Sequence, residues 1–228
     1  MMISGQFKSL PWGTCSGYSL SIIPLFLLMG QFATKGGMSE SLFKAAAAFL
    51  GHRRGGIAMA GIGACAGFGA ICGSSLATAA TMAQVALPEM RRYGYSGALS
   101  TGSLAAGGTL GILIPPSIML VIMADLLSVP VGTVFVGAIV PGLLLAVLYA
   151  VYIWTLCHFK PHLAPPLPDD IGPATRAEFW AMIFGSFVPP ILLIVLVLGS
   201  IFGGFATPTE AAGVGAGGAV LLAAFNRA

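Results

Sequence analysis

Charge is what this sequence has least of. Acidic and basic side chains make up 7% of 228 residues, too few to solvate the surface of a soluble domain of this length. The net charge of +3 is too small for a nucleic-acid-binding surface. Cys15, Cys65, Cys72 and Cys157 form no Cys-x-x-Cys pair and have no histidine at ligand spacing. Neither a disulfide framework nor a metal site is expected, and the thiols read as small apolar packing groups. There is no P-loop, which excludes ATP-driven transport by this chain, and there are no paired catalytic acids. His52, His158 and His162 fall in loops outside the apolar runs, away from any buried serine, so no nucleophile–base pair is available and the chain reads as a non-enzyme without a cofactor. Met1–Gly17 lacks the basic start, apolar run and cleavage site of a signal peptide.

What is present is apolar. Hydrophobic residues make up 57% of the chain and the mean hydropathy is +0.95, which implies an all-α polytopic membrane protein. A β-barrel is disfavoured because the apolar runs are continuous rather than alternating. The 32 glycines suit helices that pack closely or break.

One stretch organises the rest. Ile57–Leu87 carries no charge and lies between Arg53-Arg54 and Arg91-Arg92. Basic flanks stay on the cytoplasmic side, so a single crossing cannot satisfy both ends. Ile57–Cys72 and Leu76–Leu87 would give helical legs of about 24 and 18 Å, both short of a hydrocarbon core of about 30 Å. The stretch therefore reads as a re-entrant hairpin that turns at Gly73-Ser74-Ser75. Gly97–Leu127 is broken differently: in Ile114-Pro115-Pro116-Ser117 two prolines remove two helical hydrogen bonds and disfavour helix at Ile114.

Three regions follow. Residues 1–56 hold a partial span, Tyr18–Ala33, interrupted by Pro24, and a helix from Leu42 to Leu50 lying along the membrane surface, with Ser39 as N-cap and Lys44 four residues after Glu40. Residues 57–127 form a transport-type unit of hairpin (57–87) and broken helix (97–127), joined by a turn at Pro88–Tyr95. Residues 128–228 hold scaffold-type spans: Thr133–Cys157, a cytoplasmic loop over 159–177, Phe184–Phe202 kinked at Pro189-Pro190, and Ala211–Phe225. Thr175 and Glu178 have capping-box spacing. In this threading Lys35, Lys44, Arg53, Arg54, Arg91, Arg92, Lys160 and Arg176 are cytoplasmic and only Lys8 is outside, as the positive-inside rule requires.

A break in a membrane helix frees backbone groups that lipid cannot satisfy, so it persists where protein or a water-filled cavity surrounds it. Gly73, Ser74, Ser75 and Thr78 at the tip supply carbonyls and hydroxyls, the oxygen ligands an alkali cation accepts in place of water. Gly108, Thr109, Gly111 and Ile114, with Ser117 after Pro115 and Pro116, supply the same chemistry at the second break. The two breaks are alike in composition and suited to meet at the midplane. The plainer readings are a tight contact of small residues at Gly73–Ser75 and a simple kink at the prolines. Asp125 reads as a solvated end residue. Glu210 divides between N-capping the last apolar run and an ion or gating role beside Thr207 and Thr209. Trp12, Trp154, Trp180, Tyr149 and Tyr152 read as interface anchors or packing.

Cys72-Gly-Ser-Ser-Leu-Ala-Thr78, Leu87-Pro-Glu-Met90 with Tyr93-Gly-Tyr95, Gly111-Ile-Leu-Ile-Pro-Pro-Ser117, Pro141-Gly-Leu143 and Thr207-Pro-Thr-Glu-Ala-Ala212 stand in an order that resembles the large permease (M, DctM-like) subunit of TRAP transporters, the tripartite ATP-independent periplasmic family. Ile23-Pro-Leu-Phe26, Met29-Gly30 and Gly55-Gly56 fit the same pattern. The resemblance covers about Ser19 to Ala212. It implies one half of an inverted-repeat elevator transporter in the bacterial inner membrane, coupled to sodium and taking an organic acid from a periplasmic substrate-binding protein beside a small membrane subunit. By position, Gly73, Ser74, Ser75 and Thr78 would belong to the first hairpin tip and Gly108–Ser117 to the broken helix beside it. Together they would form a sodium site with the substrate close by. Thr207–Glu210 match a later motif near the transport pathway. Members of the family are longer, so the resemblance also implies a truncated chain, with a non-transporting remnant or scaffold as the alternative.

Overall fold

A computed structural model describes residues 21–165 and 176–225. Among these the secondary structure is helical: α1 (Ile22–Lys35), α2 (Met38–Leu50), α3 (Gly56–Cys72), α4 (Ser75–Arg92), α5 (Gly97–Leu113), α6 (Ile118–Leu126), α7 (Val131–Phe159), α8 (Arg176–Phe202) and α9 (Pro208–Phe225), with a 3-10 turn at Pro161–Leu163.

Helix α3 is the axis of the molecule. Its run of Ala, Gly, Ile and Met has no polar face, and 14 of its 17 residues are buried, as expected of a helix enclosed by others. Gly73 ends it in the left-handed conformation (φ 63°), its N–H donating to the Gly69 carbonyl at 2.8 Å, an αL cap that glycine adopts without strain. The chain then reverses into α4, and both legs lie along α5 over longer stretches than along each other. Close approach is possible because a Cβ at Gly69 would stand 2.9 Å from the Gly111 Cα. The three described cysteines are buried, and each faces a glycine: Cys65 at Gly107, Cys72 at Gly30, Cys157 at Gly55.

The basic ends gather together. Gly55 abuts Cys157, the Ile57 N–H donates to the Tyr95 hydroxyl at 3.2 Å, and the Ser96 N–H donates to the Leu163 carbonyl at 2.9 Å. Arg53-Arg54, Arg91-Arg92 and Lys160 therefore share one end, as the threading requires. Tyr95→Phe leaves the buried Ile57 N–H without its partner and is expected to lower stability by about 1–3 kcal/mol, measured as the shift in thermal unfolding against wild type.

Among the described residues two helices are long and apolar enough to cross a membrane, Val131–Phe159 and, within α8, Ile183–Phe202. The pair α5 and α6, bent by 43° at the double proline, passes the same test together. On α7, Val136, Val140, Leu144, Val147 and Val151 are all exposed on one stripe, an apolar face suited to lipid.

Several expectations need correction. Helix α1 is not interrupted by Pro24: the proline falls in the first turn of a helix beginning at Ile22, where its missing N–H is one of the unpaired amides anyway. Gly37 (φ 75°), not Ser39, precedes α2, and Ser39 is buried. The Glu40–Lys44 ion pair forms, at 2.6 Å. Helix α2 packs on α3 and α8, with Leu42 against Gly67, while Phe49 near its end is exposed.

Helix α4 passes through Pro88 and continues to Arg92. Pro88 and Gln84, whose carbonyl loses its donor, both lie on the exposed side, while Ala86 and Met90 are fully buried and hold the helix in place. At 18 residues, or about 27 Å, the second leg is longer than read but still short of a full crossing. Helix α8 continues past Pro189-Pro190, with both prolines inside it. The proposed Thr175–Glu178 cap lies outside the described residues.

Candidate functional site

The hairpin tip and the helix break meet, and they do so through backbone. The Ile118 N–H, first amide of α6, donates to the Gly73 carbonyl at 3.1 Å. Gly73 also lies against the break itself, where a Cβ would stand 2.8 Å from the Pro116 carbonyl oxygen. Ser74 is extended (φ −131°, ψ 124°) and caps α4, its hydroxyl accepting from the Ala77 N–H at 3.5 Å. Its carbonyl accepts from the Thr78 N–H at 3.0 Å and also faces Gly111, where a Cβ would stand 3.1 Å away. One turn earlier on α5, Gly108 packs against Ala79 and the Ser75 carbonyl.

The chemistry at this junction is oxygen without charge. Thr78 and Ser117 are fully buried, and neither hydroxyl has a hydrogen-bond partner among the described residues. The Thr78 Oγ1 points at α5, 2.9 Å from where a Gly111 Cβ would be. Ser117 is extended (φ −130°, ψ 133°) before α6, and its side chain makes no cap. Buried hydroxyls are ordinarily satisfied, and an orphan costs about 1–3 kcal/mol. Pro115 and Pro116 carry no N–H, so the Gly111 and Ile112 carbonyls have no helical donor four residues on. Buried hydroxyls and released carbonyls are hard, neutral ligands, of the kind an alkali cation accepts. Among the described residues no group of three His, Cys, Asp or Glu side chains could hold a metal ion.

Gly73, Ser74, Ser75, Thr78, Gly108, Gly111, Pro115, Pro116 and Ser117 are thus brought together. Thr109 is not. It lies on the opposite side of α5, exposed, with its hydroxyl donating to the Ala106 carbonyl at 2.6 Å and standing 3.3 Å from the Tyr149 hydroxyl of α7. Ile114 belongs to the break (φ −85°, ψ 119°), its N–H still bonded to Leu110 at 2.8 Å. Its side chain leans on Gly142, which gives the Pro141-Gly142-Leu143 segment a role: a side chain there would push α7 off the break. Gly69 was missed, since its partner is distant in sequence.

Asp125 is exposed at the end of α6, as read. Glu210 caps its own helix: its carboxylate accepts from the Thr207 N–H and hydroxyl, both at 2.8 Å, and the Glu210 N–H donates to the Thr207 hydroxyl at 3.4 Å. These bonds at the exposed helix start hold the Glu210 carboxyl below its ordinary range, so the cap is complete above that range and is lost as pH falls through the lowered value. Thr207→Ala is expected to cost about 1 kcal/mol, read as a lower unfolding temperature near neutral pH and a smaller difference from wild type in acid, where only the Glu210 N–H bond to the Thr207 hydroxyl is left to lose. Thr209 stands in the same first turn, half-buried.

Two backbone breaks in apolar surroundings, bonded to each other and lined by neutral oxygens, define a helical membrane protein of the discontinuous-helix class. A family model described as "Tripartite ATP-independent periplasmic transporter, DctM component" matches residues 5–228. The chain belongs to this family. It is 41% identical over 215 residues to the C4-dicarboxylate TRAP transporter large permease protein DctM of Pseudomonas aeruginosa, covering 93% of this chain and 48% of that protein. Identity to the ectoine TRAP transporter large permease protein TeaC of Halomonas elongata is 32%, over 96% of this chain and 50% of that one. Identity to the sialic acid TRAP transporter permease protein SiaT of Haemophilus influenzae is 29%, over 91% and 33%. The chain spans about half the length of the large permeases it matches.

Proposed function

We propose that this chain supplies one half of the membrane pathway of a sodium-coupled organic-acid transporter, with its coupling-ion site at the junction of tip and break. The observation that carries the reading is the pair of buried, unpartnered hydroxyls of Thr78 and Ser117 across that junction. Sodium coordinated by them and by the released carbonyls would satisfy each orphan. The start of α4 at Ser74-Ser75 presents its amide end nearby, a place for a substrate carboxylate. Relatives are named for C4-dicarboxylate, ectoine and sialic acid, so an organic acid or zwitterion is the substrate class. The remaining length of those relatives would supply a second, inverted half. A small membrane subunit and a periplasmic binding protein would complete an elevator-type assembly in the bacterial inner membrane. A scaffold without transport chemistry would be more stable with apolar groups in place of these hydroxyls, which argues against that alternative.

Uptake by the assembled permease carrying this segment tests the reading. Replacing sodium with choline is expected to stop uptake of the accepted acid, and Thr78→Val and Ser117→Ala are expected to raise the sodium concentration needed for half-maximal rate. Uptake indifferent to sodium and to both substitutions would overturn it.

A further inference from the structure

Away from the tip, a cleft of about 340 Å³ opens between α5 and α7, a volume at the low end of small-molecule sites. Ile62 of α3 forms its floor, Gly102 and the tyrosines Tyr149 and Tyr152 its sides, and Ser96 and Leu163 one end. The Ser96–Leu163 hydrogen bond crosses that end. The lining carries no charge, whereas basic residues stand a few positions from both partners of that bond. Leu163 follows Lys160 and His162 on the 3-10 turn, and Ser96 follows Arg91 and Arg92. Gly55, just after Arg53 and Arg54, packs on Ile153 in the cleft wall. Glu89 stands 4.0 Å from Arg92, and among the described residues Lys160 and Arg91 form no ion pair.

An apolar trough with aromatic sides and a cationic mouth matches one molecule with an aliphatic tail and an anionic head. We propose that the cleft holds one acyl chain of an anionic phospholipid, whose phosphate lies at the Lys160–Arg91 mouth on the cytoplasmic face. A zwitterionic lipid offers the same tail but no net charge to the mouth, so the site discriminates by headgroup, by about fivefold for each basic residue engaged.

The test uses the purified, delipidated chain and native mass spectrometry with phosphatidylglycerol or phosphatidylcholine. Wild type is expected to retain phosphatidylglycerol at least fivefold better than phosphatidylcholine. Lys160→Gln with Arg91→Gln should bring the two lipids level. Gly102→Phe should remove binding of both, because a Cβ there meets no atom within 4 Å and the ring fills the cleft without disturbing the packing. Gly137→Phe, at an equally open position on α7 outside the cleft, should change nothing, and each variant is compared only if it elutes as wild type does. Equal retention of the two lipids by wild type, which needs no variant, would overturn the proposal. So would phosphatidylglycerol retained by a folded Gly102→Phe, or cross-linking of Ala106→Cys to a co-expressed permease half in place of lipid.

Discussion

Thr78→Val combined with Ser117→Ala abolishes the response of this protein to sodium while leaving it at least as stable as wild type in sodium-free buffer: that is the largest functional effect expected. The two hydroxyls are fully buried and unpartnered, so in the absence of an ion each is a destabilising group worth about 1–3 kcal/mol. Valine keeps the shape of threonine, and alanine leaves only a small void. Removing both hydroxyls therefore relieves the ion-free state. With sodium at a hundred times its dissociation constant, wild type should gain about 2.7 kcal/mol, or roughly 5–10 °C in unfolding temperature for a chain of this size. The double variant should gain close to nothing. Opposite signs in the two buffers distinguish a ligand site from ordinary core packing, where the same substitutions would act alike with and without sodium.

Gly73→Val is expected to damage the fold strongly. The residue sits at φ 63°, where a side chain costs about 1–2 kcal/mol. Its Cβ would also stand 2.8 Å from the Pro116 carbonyl oxygen, and forcing extra atoms into such a contact costs about 1–3 kcal/mol. Neither atom belongs to a flexible side chain, so relief requires parting the tip from the break and losing the Ile118–Gly73 hydrogen bond. A loss of about 2–5 kcal/mol should appear as a lower unfolding temperature and a reduced yield of monodisperse protein. Gly63→Val, at a position with open space around it, is the control and should lie near wild type.

Much of this was legible before any coordinates. The hairpin came from charge and leg length, since arginines on both flanks of an uncharged run cannot lie on opposite sides of a membrane and neither leg is long enough to cross it. The break at Ile114–Ser117 came from two prolines and the hydrogen bonds they cannot make. Face assignments were less accessible. Thr109 sits between Gly108 and Leu110 in a run of small residues where no amphipathic stripe marks the inward side, and only the packing of α7 through Tyr149 shows that it points away. Proline was read too strongly: Pro24 stands in a first turn and Pro88 on an exposed face, both positions where the lost amide costs little. Glycine was read too weakly. That Gly69 and Gly142 let neighbouring helices reach the break depends on partners far away in sequence, which periodicity does not report.

Unfolding temperature of the purified wild-type chain in sodium chloride against potassium chloride, at matched ionic strength, tests the site most directly. Selective stabilisation by sodium, absent from the Thr78→Val, Ser117→Ala double variant, is the expected result. Identical unfolding in the two salts across the full concentration range would contradict it.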